Sequence, residues 1–160
     1  MSHPRIPTLD SPPLVRYGLP ERVFGTSPAA GTDFTQAVDA RYFVRLMSVF
    51  CRLVTDATVA SREVVLEYRD QAANRYDLMG APVTVSATST NDYCFSSFQG
   101  QADWPEDSSI LVPLHPVILL PSDDFRLHIV NVQATDQLSR IRFVWERFYS
   151  QDQPPPDLAR

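Results

Sequence analysis

From residue 33 onward, apolar and polar positions alternate with a period of two, and clusters of turn residues separate the alternating runs. Val64, Leu66 and Tyr68 interleave with Glu63, Glu67 and Arg69, as Phe125, Leu127 and Ile129 do with Arg126 and His128. Period two places one set on a buried face and the other toward solvent, the mark of a half-buried strand. The pattern predicts strands over residues 34–38, 42–55, 63–70, 76–79, 83–87, 92–98, 110–120, 125–132 and 141–149. No window of eleven or more residues holds a 3.6-residue period better, so no helix is expected.

The run 42–55 breaks phase. Its apolar set is Tyr42, Val44 and Leu46, then Val49, Cys51 and Leu53. The slip near Met47 and Ser48 predicts a β-bulge or bend that lets one long strand serve two parts of a curved sheet. A second regularity is a turn written twice: residues 54–69 and 134–147 each pass from a strand into Thr-Asp, across a short polar stretch, and back through Ser-Arg. Both are read as hairpins, alike through turn chemistry rather than duplication. Eight or nine short strands with turns between them predict an all-β fold, an antiparallel β-sandwich of jelly-roll type.

Proline marks the segment boundaries. Six of the 14 prolines lie in residues 1–28 and three more form Pro154-Pro155-Pro156. The expected organisation is an extended arm over 1–32, a sandwich over 33–150 and an extended tail over 151–160. The arm nevertheless carries Ile6, Leu9, Leu14, Val15, Tyr17, Leu19, Val23 and Phe24, too much apolar material for a solvated linker. It is expected to lie against a partner surface.

A chain of 160 residues suits one domain with its own core. Fourteen basic residues, all arginine, stand against 19 acidic ones; the net charge of −5 has the wrong sign for neutralising phosphates. Nucleic acid is therefore not an expected partner, and without basic runs neither is a membrane surface. No apolar stretch is long enough to span a bilayer, and residues 1–13 lack the apolar centre of a secretory signal, so synthesis in a cytoplasm is expected. Cys51 and Cys94 each lie in a strand-like run and are expected as buried free thiols.

Candidate chemistry is sparse. His3, His115 and His128 have no companion at metal-ligand spacing, and neither a nucleophile elbow nor a phosphate-cradling glycine loop is present among five glycines. No catalytic residue, cofactor or metal site is expected. Asp103 to Ser108 reads as a solvated acidic loop, and Asp123-Asp124 as turn carboxylates bonding backbone amides. Trp104, beside Pro105 in the stretch between two strands, is either a ring packed back on the sandwich end or an exposed contact for protein or sugar. Arg41, Arg45, Arg52, Arg62, Arg69, Arg140, Arg142 and Arg147 alternate with apolar neighbours and acids; they are either cross-strand ion pairs or subunit contacts.

Two stretches carry a resemblance. Residues 40–74, A-R-Y-F-V-R-L-M-S-V-F-C-R-L-V-T-D-A-T-V-A-S-R-E-V-V-L-E-Y-R-D-Q-A-A-N, and residues 113–147, with L-L-P-S-D-D-F-R-L-H-I-V-N-V-Q-A-T-D-Q-L-S-R-I-R-F-V-W-E-R, resemble small β-sandwich virion proteins of tailed bacteriophages. The likeness spans about residues 34–149; the turn at residues 70–74 lacks that family's glycines, and the arm lies outside it. The resemblance implies a structural role on a virion assembled in a host cytoplasm: a capsid decoration or cement protein, often trimeric, contacting the major capsid protein or other virion proteins. Its alternative is a tail, baseplate or fibre component with a carbohydrate- or receptor-binding jelly roll. The expected interface residues are Ile6, Leu9, Leu14, Val15, Tyr17, Val23, Phe24 and Trp104.

Overall fold

The computed structural model describes residues 19–97 and 109–149. The alternating runs become ten strands: β1 (Leu19–Phe24), β2 (Phe34–Ala37), β3 (Tyr42–Val54), β4 (Glu63–Arg69), β5 (Arg75–Gly80), β6 (Thr90–Ser96), β7 (Ile110–Pro113), β8 (Ile118–Leu119), β9 (Asp124–Val130) and β10 (Gln137–Tyr149). Among the described residues there is no helix. One sheet runs β1-β10-β3-β6-β7, with β8 also on β3, and the other runs β2-β9-β4-β5. With β7 and β8 set aside as additions, the remaining strands numbered along the chain give the orders 1-8-3-6 and 2-7-4-5. That is the jelly-roll arrangement, an all-β antiparallel sandwich.

The inward residues of both sheets interlock between the layers. Val44, Leu46, Val49, Cys51 and Leu53 of β3 face Val64, Leu66 and Tyr68 of β4 and Phe125, Leu127 and Ile129 of β9 within one buried cluster. Phe125 meets Phe143 edge-on at 5.1 Å between ring centres, and Phe143 meets Trp145 at 4.9 Å, so an aromatic chain ties the sheets together. The expected phase slip in β3 is present. Val144 pairs with Ser48 and the next residue, Trp145, pairs with Leu46, so Met47 is the extra residue of a bulge. A second bulge lies in β10, where Arg140 takes a φ of 50° and keeps Ile141 inward.

Four expectations are corrected. Residues 19–24, read as arm, form β1, the first strand of the jelly roll, in register with β10 from Leu19 opposite Arg147 to Phe24 opposite Arg142. Pro20 is tolerated there because β1 is an edge. Residues 83–87 make a single bridge, Arg62 to Val85, instead of a strand; Pro82 offers no donor and Thr88 turns the chain at a φ of 55°. The run 110–120 splits into β7 and β8 around Pro113 and Pro116, and β7 pairs parallel to β6. Finally, the two Thr-Asp turns are not hairpins. Each carries the chain from one sheet to the other, β3 to β4 and β9 to β10, with no pairing between the strands it joins.

Candidate functional site

Because β3 pairs with β10 and β4 with β9, the two sheet-crossing turns emerge side by side at one end of the sandwich. They dock through their aspartates. The Asp56 amide donates to Asp136 Oδ1 at 2.9 Å, and the Thr135 hydroxyl donates to Asp56 Oδ2 at 2.9 Å. Between them lies Arg62, 0% exposed. Its Nε donates to Asp136 Oδ2 at 3.0 Å and one terminal nitrogen reaches Asp136 Oδ1 at 3.1 Å and Asp56 Oδ1 at 2.5 Å. The other terminal nitrogen donates to the carbonyls of Thr58 and Ala60 at 2.7 and 3.0 Å. All the donors of a guanidinium are thereby used.

The charges reinforce one another. Hydrogen bonds donated to Asp136, and then the charges of Asp136 and Asp56, outweigh burial and hold Arg62 more firmly in its charged form. Burial pushes the Asp56 carboxyl up, but bonds from Thr135 and Thr58 and the charge of Arg62 win and hold it below the usual range. Both carboxylates are thus bonded to one guanidinium. The cluster is a clasp between turns, built from the Thr-Asp and Ser-Arg repeats that the sequence displays.

The outer face of the β2-β9-β4-β5 sheet is closed by ion pairs. Arg69 holds Asp124 by two bonds of 2.7 and 2.9 Å, while Glu67 accepts from Arg126 at 2.8 Å and from Arg75 at 3.3 Å. Asp33 lies 3.0 Å from His128 Nδ1 and 3.5 Å from Arg126. On the other sheet Arg52 pairs with Asp92, Arg45 with Glu146 and Arg147 with Glu21, and Arg41 pairs with Asp39 in the turn before β3. Arg41, Arg45, Arg52, Arg62, Arg69 and Arg147 thus make intrachain ion pairs, mostly between neighbouring strands, and His128 lies beside the pair of Asp33 and Arg126. His115 sits exposed beside Asp77 at 3.3 Å, and no group of three potential metal ligands exists among the described residues. Asp123 does cap a turn, accepting from the Leu120 amide at 2.9 Å, whereas Asp124 turns instead to Arg69.

The outer face of the larger sheet differs. One register row crosses five strands: Phe24, Arg142, Phe50, Cys94, Leu111. The Arg142 guanidinium lies 4.5 Å over the Phe50 ring. Phe50 and Cys94 are buried yet stand apart from the core between the sheets, while Phe24 is 70% and Leu111 64% exposed. Ile118, 54% exposed, continues the apolar surface beside Arg45. Cys51 points into the core and Cys94 outward, so the two free thiols cannot meet.

Of the expected interface residues, Val23 turns inward against the core and Phe24 outward. Ile6, Leu9, Leu14, Val15, Tyr17 and Trp104 lie outside the described residues, as do the loop from Asp103 to Ser108 and the tail from 151. Sequence reasoning missed a groove between the edges of the two sheets, about 290 Å³ and lined by β1, β2, β3 and β10. Its acids are both tied to arginines. Glu21 accepts from Trp145 Nε1 at 2.7 Å and lies 3.0 Å from Arg147 Nε, and hydrogen bonds from the Arg41 side chain and amide bring Asp39 down to about 2.

No family model and no curated protein matches the chain. Among solved structures it is similar to a chain described under "Crystal structure of the T13 IBDV viral particle reveals a missing link in icosahedral viruses evolution", with a TM-score of 0.43 and 10% identity. The match covers 86% of this chain and 33% of that one, so this chain spans about a third of its length. A likeness at that level carries no argument about function; the class of the protein, a jelly-roll sandwich, rests on its own strand order.

Proposed function

We propose that this protein is a structural component of a tailed bacteriophage particle, a decoration or cement protein that binds the head surface. The observation that carries the reading is the exposure of large apolar side chains on the outer face of the larger sheet, among the pairs Arg45–Glu146 and Arg52–Asp92. Ion pairs close the face of the β2-β9-β4-β5 sheet. The other presents Phe24, Leu111 and Ile118 to solvent. Large apolar side chains left in solvent on one sheet face, at both edges and beside Arg45, suit a docking surface. Jelly rolls also serve as lectin and enzyme scaffolds, so fold alone does not choose. Against catalysis stand the arginine-bound carboxylates of the groove and the self-satisfied Arg62 cluster.

The partner is the major capsid protein or a neighbouring virion protein, with the sandwich acting as an oligomer. The test is reconstitution on particles lacking the protein, followed by imaging. Density on the head that is lost with Phe24→Ser and Leu111→Ser supports the reading. Density confined to tail or fibre replaces it with an adsorption role, and no particle binding overturns it.

A further inference from the structure

Strands β6 and β7 are neighbours that run parallel, with Tyr93 opposite Ile110 and Ser96 opposite Pro113. The chain leaves β6 at Ser96 and must travel ~10 Å back along the sheet before it enters β7. Parallel neighbours need a crossover of about a dozen residues or more, and residues 97–109 supply it. It cannot pass between the sheets, because Tyr93, Phe95 and Val112 fill that side.

The outer side carries the mark of a cover. Ser48, Phe50, Asp92 and Cys94 point outward from β3 and β6, yet all four are buried, Phe50 to 2% and Cys94 to 0% exposure. The ends of the same row, Phe24 and Leu111, stand in solvent. Side chains standing side by side on a sheet shield one another's flanks and leave their outer ends wet, so burial to this depth needs a layer above. We propose that residues 98–108, which lie outside the described residues, are that layer: they cross the outer face of β6 and β3 with the Trp104 ring against Phe50 and Cys94. Of the two large apolar side chains in the segment, Phe98 follows Ser96 too closely to reach back to the Phe50 row, whereas Trp104 falls near the middle. Charge agrees with this occupant. Asp103, Glu106 and Asp107 come with no basic residue, and the surface they cross carries Arg140 and Arg142 besides the Arg52–Asp92 pair. A docking partner therefore meets an acidic crossover at the centre of this face, with Phe24 and Leu111 at its edges. Strand pairing and burial carry the proposal, which is independent of the virion reading.

The test follows thiol labelling of the full chain at Cys94, with Cys51 on the core side as an internal monitor of folding. Trp104→Ala is expected to speed labelling of Cys94 roughly tenfold or more with the Cys51 rate unchanged, and Trp104→Phe to restore most of the protection. An unchanged Cys94 rate overturns the proposal. So does a parallel rise at both cysteines, which would mean a looser fold rather than a lost cover. Acrylamide quenching of the unaltered chain needs no variant: both tryptophans are expected to be shielded, and a component of the emission quenched as readily as free tryptophan overturns the proposal. Particle binding by a chain that fails these tests would remove the cover and leave the virion role standing.

Discussion

The buried guanidinium of Arg62 meets the carboxylate of Asp136 through two hydrogen bonds of 3.0 and 3.1 Å, although 74 positions separate them in the chain. The pairing joins the turn after β3 to the turn before β10, so it closes one end of the sandwich only when both sheets are assembled. Removing one member leaves the other charge buried, which is far costlier than losing an exposed ion pair. Arg62→Met is therefore expected to lower the thermal midpoint by roughly 10 °C. Arg62→Lys should fall between, because an ammonium cannot span two carboxylates and two carbonyls at once. Thermal unfolding followed by near-ultraviolet circular dichroism measures both; equal midpoints for all three chains would deny the clasp its role.

Acid should weaken the fold through turn carboxylates at both of its ends. Asp56, Asp70 and Asp39 all have carboxyls held below the usual range in the fold: Asp56 by bonds from Thr135 and Thr58, Asp70 by the Asn74 side chain and amide, Asp39 by Arg41. A group with a lowered folded pKa stabilises above its unfolded value, near 4, and loses that contribution as pH falls through the folded value. Urea midpoints are expected to be flat from pH 7 to about 5, then to drop between about pH 4 and 2. Asp56→Asn should flatten part of that drop while lowering the plateau. Midpoints that stay flat down to about pH 2 would overturn the assignment.

Much of this architecture is legible in the sequence, and what escapes is non-local. Alternation in residues 63–69 and 124–130 reveals strands and their buried faces, and the broken phase at Met47 reveals a bulge, because each depends only on neighbours a few positions away. Whether the strand after Thr55-Asp56 returns beside β3 or crosses to the other sheet depends on β10, some 90 residues downstream, and short-range pattern cannot tell a hairpin from a crossing. Strand β1 was hidden because Pro20 and its proline-rich surroundings resemble a linker, whereas an edge strand accommodates proline. The groove was hidden for a related reason: Glu21, Asp39 and Trp145 come from three separate segments.

Gly31 supports the clasp from behind. Its φ of 69° suits a residue without a side chain, and an added Cβ would lie 2.9 Å from the carbonyl oxygen of Ala134, just before Thr135-Asp136. Its amide donates to the Asp136 carbonyl at 2.7 Å, so the backbone cannot easily withdraw. Gly31→Ala is expected to cost about 1–2 kcal/mol in chemical denaturation.

The two cysteines should be silent in the native state. Burial pushes both thiols up, and they face opposite sides of their sheet. Electrophoretic mobility is expected to be the same with and without reductant. A thiol reagent should label either cysteine only at the rate of unfolding or local opening. Fast labelling of Cys94 alone would mean that the outer face of the larger sheet opens readily.

Val23 and Phe24 provide the sharpest separation of folding from docking, because adjacent residues of one strand point to opposite faces. Val23 packs against the core, opposite Phe143, whereas Phe24 is 70% exposed at the edge of the row that ends at Leu111. Truncating Val23 removes partly buried methyl groups, so Val23→Ala is expected to cost about 1 kcal/mol while leaving particle affinity unchanged once the fraction folded is matched. Phe24→Ala should shift stability by less than about 0.5 kcal/mol, yet an aromatic anchor at an interface commonly accounts for 1–2 kcal/mol of binding, or roughly a tenfold loss of affinity. Denaturation curves and co-sedimentation with particles measure the two quantities separately. If both variants lost binding in proportion to stability, the apolar row would be only an exposed part of the fold, and docking would have to be sought in the arm.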